Sequence, residues 1–104
     1  MSVVVVGGGL ALLGAVRQTV ETLTVANVAT ADVGSSANLV AQLRPFAVVV
    51  SQDIYDFDST EFDALARDVQ TTLIVVATQR VSEVALRTAL MPRITQAFST
   101  YHRA

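Results

Sequence analysis

Gly7-Gly8-Gly9 follows a run of valines, Val3 to Val6, and precedes an apolar stretch that can form a helix. A glycine turn between a strand and a helix lets backbone N–H groups approach a phosphate, and Gly7 and Gly9 match the start of the dinucleotide pattern G-x-G-x-x-G. The third glycine of that pattern is replaced by Leu12. The second expected strand ends near Asn27 or Ala29 with no acidic residue to hold a ribose hydroxyl, and Asp32 comes late for that role. A small nucleotide-binding domain using the Gly7–Gly9 turn is therefore an alternative expectation rather than the leading one.

Other residues of chemical interest gather after Val48-Val49-Val50. Ser51 ends that run where an open α/β sheet usually places function. Asp53, Asp56 and Asp58 follow as oxygen ligands, but their spacing does not match a calcium loop, and a solvated acidic loop is the expectation, with no metal. Ser51, Ser82 and His102 lack the G-x-S-x-G elbow that would make a nucleophile of a serine. Tyr55 and Phe57 sit in the same loop and are candidate anchors for a protein partner. The chain has no Cys, and its seven basic residues are all Arg, so thiolate and lysine chemistry are excluded. No cofactor and no catalytic residue is expected.

These residues have to be positioned by elements that the hydrophobic pattern describes. Val3 to Val6, Pro45 to Val50 and Thr72 to Thr78 are continuous apolar runs, the pattern of parallel strands covered on both faces. Thr24 to Ala29 reads as a weaker edge strand. Between them, Leu13, Val16, Val20 and Leu23 fall at helical spacing, as do Leu39, Val40 and Leu43, and then Phe62, Leu65, Ala66 and Val69. Asp58 is placed to open a capping box with Glu61, and Ser82 to cap a fourth helix that Pro92 ends. Residues 93–98 are left open between a fifth strand and helix. The alternation predicts one α/β domain over 1–104, a doubly wound, flavodoxin-like parallel sheet of four to five strands in order 2-1-3-4-5 with a shortened C-terminal end.

On Leu43-Arg44-Pro45-Phe46-Ala47-Val48-Val49-Val50, on Asp32-Val33-Gly34 to Ser36, and on Thr95-Gln96-Ala97-Phe98, the chain resembles the receiver domains of bacterial two-component response regulators. The resemblance implies phosphorylation of an aspartate held beside Mg²⁺. The matching positions are occupied by Gly8 and Gly9 for the acidic pair, Ser51 for the acceptor, Ala77 for the switch hydroxyl and Gln96 for the lysine. A pseudo-receiver is thus implied, with the fold kept and the phosphorylation chemistry gone. A looser likeness, in Val48-Val49-Val50 followed by Asp58-Ser59-Thr60, is to the anti-anti-sigma (STAS) regulators.

Composition narrows the partners. Charged residues make up 15% of the chain and hydrophobic ones 52%, against about 25% and 45–50% in ordinary globular domains. A surface so poor in charge favours association. The net charge of −2, without a basic cluster, recommends neither nucleic acid nor an anionic membrane. The leading expectation is a non-enzymatic, cytoplasmic protein-interaction module of a bacterial signalling complex, a candidate homodimer. Tyr55, Phe57, Arg87, Phe98 and Tyr101 are its expected contact residues. Whether the chain is a whole protein or an excised domain is left open.

Overall fold

The computed structural model describes residues 2–21, 27–32, 34–79 and 81–103, and the side chains of 101–103 lie outside the description. The chain runs β1 (Ser2–Val6), α1 (Gly9–Glu21), β2 (Asn27–Ala31), α2 (Ser36–Leu43), β3 (Ala47–Ser51), α3 (Gln52–Phe57), α4 (Ser59–Val69), β4 (Thr72–Val76) and α5 (Glu83–Arg103). The strands form one parallel sheet in the order β2-β1-β3-β4. This is the expected doubly wound order over four strands.

The two valine runs explain the layering. Every residue of β1 and β3 is buried, so both sheet faces must be covered, and successive side chains feed opposite cores. Val3, Val5, Ala47 and Val49 join Leu12, Val16, Leu86, Leu90 and Ile94 beneath α1 and α5. Val4, Val6, Val48 and Val50 join Val40 and Phe62 beneath α2 and α4. The outer strand β2 has no fully buried residue, in keeping with its place at the sheet edge.

Three elements differ from the sequence expectation. β2 occupies Asn27–Ala31, two residues beyond the expected end, while residues 24–26 and the expected helix end at Leu23 lie outside the described residues. Residues 52–57, expected as a loop, form the short helix α3. Residues 93–98 belong to α5, not to a fifth strand, and Pro92 lies inside that helix rather than ending it. Burial overrides the proline here. Leu86, Leu90, Ile94 and Ala97 recur every three or four residues and are all buried against the sheet, while Pro92 sits on the exposed side. Arg93 NH1 also donates to the Val75 carbonyl across 2.8 Å, tying the helix to the outer strand just after the proline.

The caps follow the same theme. Ser82 behaves as expected, its Oγ accepting from the Ala85 N–H at 3.1 Å. Asp58 precedes α4 but its side chain makes no capping hydrogen bond, so the expected capping box is not formed.

A helix-interior proline lacks an N–H and crowds the preceding turn at a cost of about 3 kcal/mol relative to alanine. Pro92→Ala is therefore expected to stabilise the protein by roughly 1–3 kcal/mol, read as a higher urea midpoint at unchanged slope. A lower midpoint would show that α5 needs the bend that the proline imposes.

Candidate functional site

In the order β2-β1-β3, the chain leaves β1 toward one side and later returns to the other, so the carboxyl end of β1 is the point where the winding reverses. The loops on either side of such a point diverge and leave a crevice above the strand ends. The register fixes what meets there. Val6 pairs with Ala31 on one side and Val50 on the other. The next residues along, Asp32, Gly7 and Ser51, therefore stand in one row across three neighbouring strands.

Gly7, Gly8 and Gly9 have φ angles of 75°, 76° and 65°. Such left-handed backbone costs an ordinary L-residue roughly 1–2 kcal/mol per position. Sterics adds a second reason at Gly7, where a Cβ would stand 2.8 Å from both Ser51 Oγ and Ile54 Cγ1. At Gly9 a Cβ would meet nothing within 4 Å. The glycines therefore let the chain pass tightly over the end of β3 and then present the first turn of the 13-residue helix α1. The leading N–H groups of a helix have no partner within it and carry its positive end.

Ser51 is the unusual member of the row. It is fully buried, and its Oγ has no hydrogen-bond partner. It precedes α3 in extended conformation without capping it, and its hydroxyl instead abuts Gly7. An unpaired buried hydroxyl costs on the order of 1–3 kcal/mol. Beneath the glycine turn, such a group is a reserve of hydrogen-bonding capacity.

Asp32 lies directly after β2, which brings an acidic residue to the strand end where the sequence reading placed Asn27 or Ala29. Its Oδ1 accepts from the Ser35 N–H at 2.8 Å and the Ser35 Oγ at 2.9 Å, anchoring the turn into α2. The Ser35 backbone hydrogen bond, then its hydroxyl, hold the Asp32 carboxyl below its ordinary pKa. The signal was legible: Asp-x-x-Ser before a helix is turn chemistry, so the strand had to run up to Asp32.

The expected contact residues separate into different surroundings. Phe57, at the end of α3, is 90% exposed, as Leu10 is at 85%. Tyr55 is half-buried, its ring 6.4 Å from that of Phe62 and its hydroxyl donating to Asp63 at 2.8 Å. Arg87 is half-buried and donates from one guanidinium nitrogen to Gln18 Oε1, which ties α5 to α1. Phe98 packs edge-on to buried Phe46, with centroids 5.3 Å apart, and belongs to the core margin. The Tyr101 side chain lies outside the described residues.

Among the positions drawn from the receiver likeness, Gly8, Gly9 and Ser51 do share the crevice, and Ala77 follows β4 at the same sheet edge. Gln96 does not: residues 93–98 are helical, and it is an exposed residue within α5. Among the described residues no cluster of three or more His, Cys, Asp or Glu could hold a metal ion, and no helix is long and apolar enough to cross a membrane. A cavity of about 460 Å³ lies at the other end of the sheet, between Arg44, Phe46, Thr72 and Thr100.

Two stability measurements test this description. Ser51→Ala removes the orphaned hydroxyl and is expected to stabilise the unliganded protein by about 1 kcal/mol, whereas Gly7→Ala is expected to destabilise it by roughly 2 kcal/mol or more and Gly9→Ala by only about 1. Equal losses at Gly7 and Gly9 would remove the Ser51 contact from the account. The acid limb tests Asp32. Because its folded pKa is depressed, its contribution is complete above the unfolded carboxylate value of about 3.9 and is lost as pH falls through the lower folded value. Asp32→Asn should therefore flatten the stability loss below about pH 4, and an unchanged acid limb would contradict the Ser35 contact.

No family model matches the chain, and no curated protein matches it. Among solved structures, it is similar to the lactose-specific IIB component domain of the phosphoenolpyruvate:carbohydrate phosphotransferase system from Streptococcus pneumoniae. The TM-score is 0.68, covering 94% of this chain and 97% of that one at 9% sequence identity. This corrects the receiver resemblance: the likeness found is to a different flavodoxin-like family, and the Thr95–Phe98 segment that carried part of the resemblance is helical. At that identity the likeness shows the fold, and the chain is a small α/β domain of flavodoxin-like architecture.

Proposed function

We propose that this is a non-enzymatic binding domain that takes an anionic, phosphate-bearing ligand at the carboxyl end of β1. The observation that carries the reading is the buried, unpartnered Ser51 hydroxyl pressed against Gly7. Three left-handed glycines and the start of α1 supply N–H donors at the same place, and a phosphate group is rich in acceptors and poor in donors. The Ser51 O–H is a further donor that the unliganded fold leaves unused.

Binding without turnover is supported by what the chain lacks. There is no Cys or Lys, and the single His is residue 102, in the last turn of a helix whose C-terminal half runs toward the far end of the sheet. Ser51 has no hydrogen-bonded base that would make it a nucleophile. The structural relative is named as a component of a phosphotransferase system, which agrees with a phosphate-handling architecture.

A second reading, protein–protein contact, is favoured by the exposed Phe57 and Leu10. Large apolar side chains left that bare commonly serve as interface anchors. Sedimentation velocity tests the self-association form of this reading: Phe57→Asp should abolish any concentration-dependent dimer, and a wild type that stays monomeric throughout would oppose it.

For the primary reading, isotopically labelled protein is titrated with pyrophosphate while amide shifts are followed. Saturable shifts are expected at Gly7 to Leu10 and at Ser51. Ser51→Ala should weaken binding by roughly tenfold, about 1.4 kcal/mol, while raising stability without ligand. Absence of loop shifts at millimolar pyrophosphate would overturn the proposal.

A further inference from the structure

The row Asp32–Gly7–Ser51 combines two kinds of recognition. Its centre, the Gly7–Gly9 turn with α1 and the Ser51 hydroxyl, presents donors. Its β2 end presents an acceptor, the exposed carboxylate of Asp32. Val6 and Ala31 are directly paired, so Gly7 and Asp32 continue neighbouring strands about 4.8 Å apart. Asp32 thus follows the strand next to the one that feeds the glycine turn.

We infer that the site takes a ribose phosphate, free or as part of a ribonucleotide, with its phosphate on the Gly7–Gly9 turn and Ser51 and its ribose hydroxyls donating to Asp32. This deepens the anion-binding reading of the loop and rests on it. Vicinal hydroxyls are good donors to a carboxylate, and charge-assisted hydrogen bonds of this kind are the strong ones. Two features prepare Asp32 for the role. Both contacts from Ser35 fall on Oδ1, and a carboxylate has a second oxygen with acceptor capacity of its own. The same contacts fix the side chain's direction and keep it ionised near neutral pH. The arrangement also accounts for an acid beside an anion site. A carboxylate next to a bare phosphate is unfavourable, whereas one a sugar ring away from it reads the sugar.

The discriminating experiment compares pyrophosphate, inorganic phosphate, ribose 5-phosphate, AMP and 2′,3′-dideoxy-AMP on the full chain by amide shift titration at fixed ionic strength. Ribose 5-phosphate and AMP are expected to bind at least tenfold more tightly than inorganic phosphate, and dideoxy-AMP to fall back to the level of phosphate. Equal affinity of ribose 5-phosphate and AMP assigns the ligand as a sugar phosphate, while a further gain for AMP assigns a nucleotide. Asp32→Asn retains an acceptor for Ser35 and should reduce the preference for AMP over dideoxy-AMP several-fold, with pyrophosphate bound no more weakly than by the wild type. If AMP and dideoxy-AMP bind equally, the Asp32 role is overturned while the loop remains an anion site. If no phosphate compound, pyrophosphate included, shifts the loop, the anion-binding reading falls and this inference with it.

Discussion

The pairing of β1 with β3 is the constraint on which the rest of the structure depends. Both strands are valine-rich and buried along their whole length, and a parallel pair of that kind is stable only with helices on both faces. Right-handed crossovers then place α1 on one side and α2 and α4 on the other, and α5, after the last strand, packs on the α1 side. With all strands parallel, every carboxyl end faces one way. The crevice is thus a consequence of burying two valine runs, and the residues that follow them, Gly7 and Ser51, are brought together by the register alone.

Their contact sets stability against function. Gly7 must be glycine because Ser51 Oγ and Ile54 occupy the space of its missing side chain. Ser51, in turn, carries a hydroxyl that the closed fold does not satisfy. Alanine would fill that position at similar volume without an orphaned polar group, and unsatisfied buried groups are rare in folded proteins. The domain therefore keeps a locally unfavourable atom beside the point where the winding of the sheet reverses, a combination usual at functional sites. Thr71 Oγ1 is also buried without a partner, but it precedes β4 at the amino end of the sheet, beside the cavity between Arg44, Phe46 and Thr72 and away from the glycine turn.

Much of this was legible in the residues. Continuous valine runs gave β1 and β3, helical spacing gave α1, α2 and α4, and the interruption of Thr24–Ala29 by Asn27 gave the edge position of β2. Two failures concern punctuation. Pro92 promised a helix end, but four buried residues spaced along α5 outweighed its local cost. Asp53, Tyr55, Asp56 and Phe57 looked like a loop because α3 buries no residue completely and so lacks a strong apolar period. The site was half legible. The glycine turn is visible in the residues, whereas Asp32 joins the site only because β2 runs two residues past Ala29. A tight Asp-x-x-Ser turn can begin only where its strand stops, and that local rule outranks the weak hydrophobic signal of an edge strand. The burial of Ser51 could not be read, since it depends on Gly7 approaching from another strand.

The sign of the local charge bears on which anion the crevice favours. Asp32, Asp53 and Asp56 are all exposed around this end of the sheet, and the chain carries a net charge of −2. Long-range attraction therefore does not draw an anion in. Two unit charges 10 Å apart in water interact by only roughly 0.4 kcal/mol, however, and physiological salt screens most of that. One charge-assisted hydrogen bond contributes about 1.5–3 kcal/mol, so a few donors from the turn and Ser51 outweigh a diffuse acidic rim. What the rim does impose is selectivity. A bare anion meets donors at its centre and repulsion at its edge, while a ligand with a phosphate at one end and hydroxyls at the other meets a complement at both. An acidic edge around a donor floor thus weakens simple anions and spares those that bring hydroxyl groups with them.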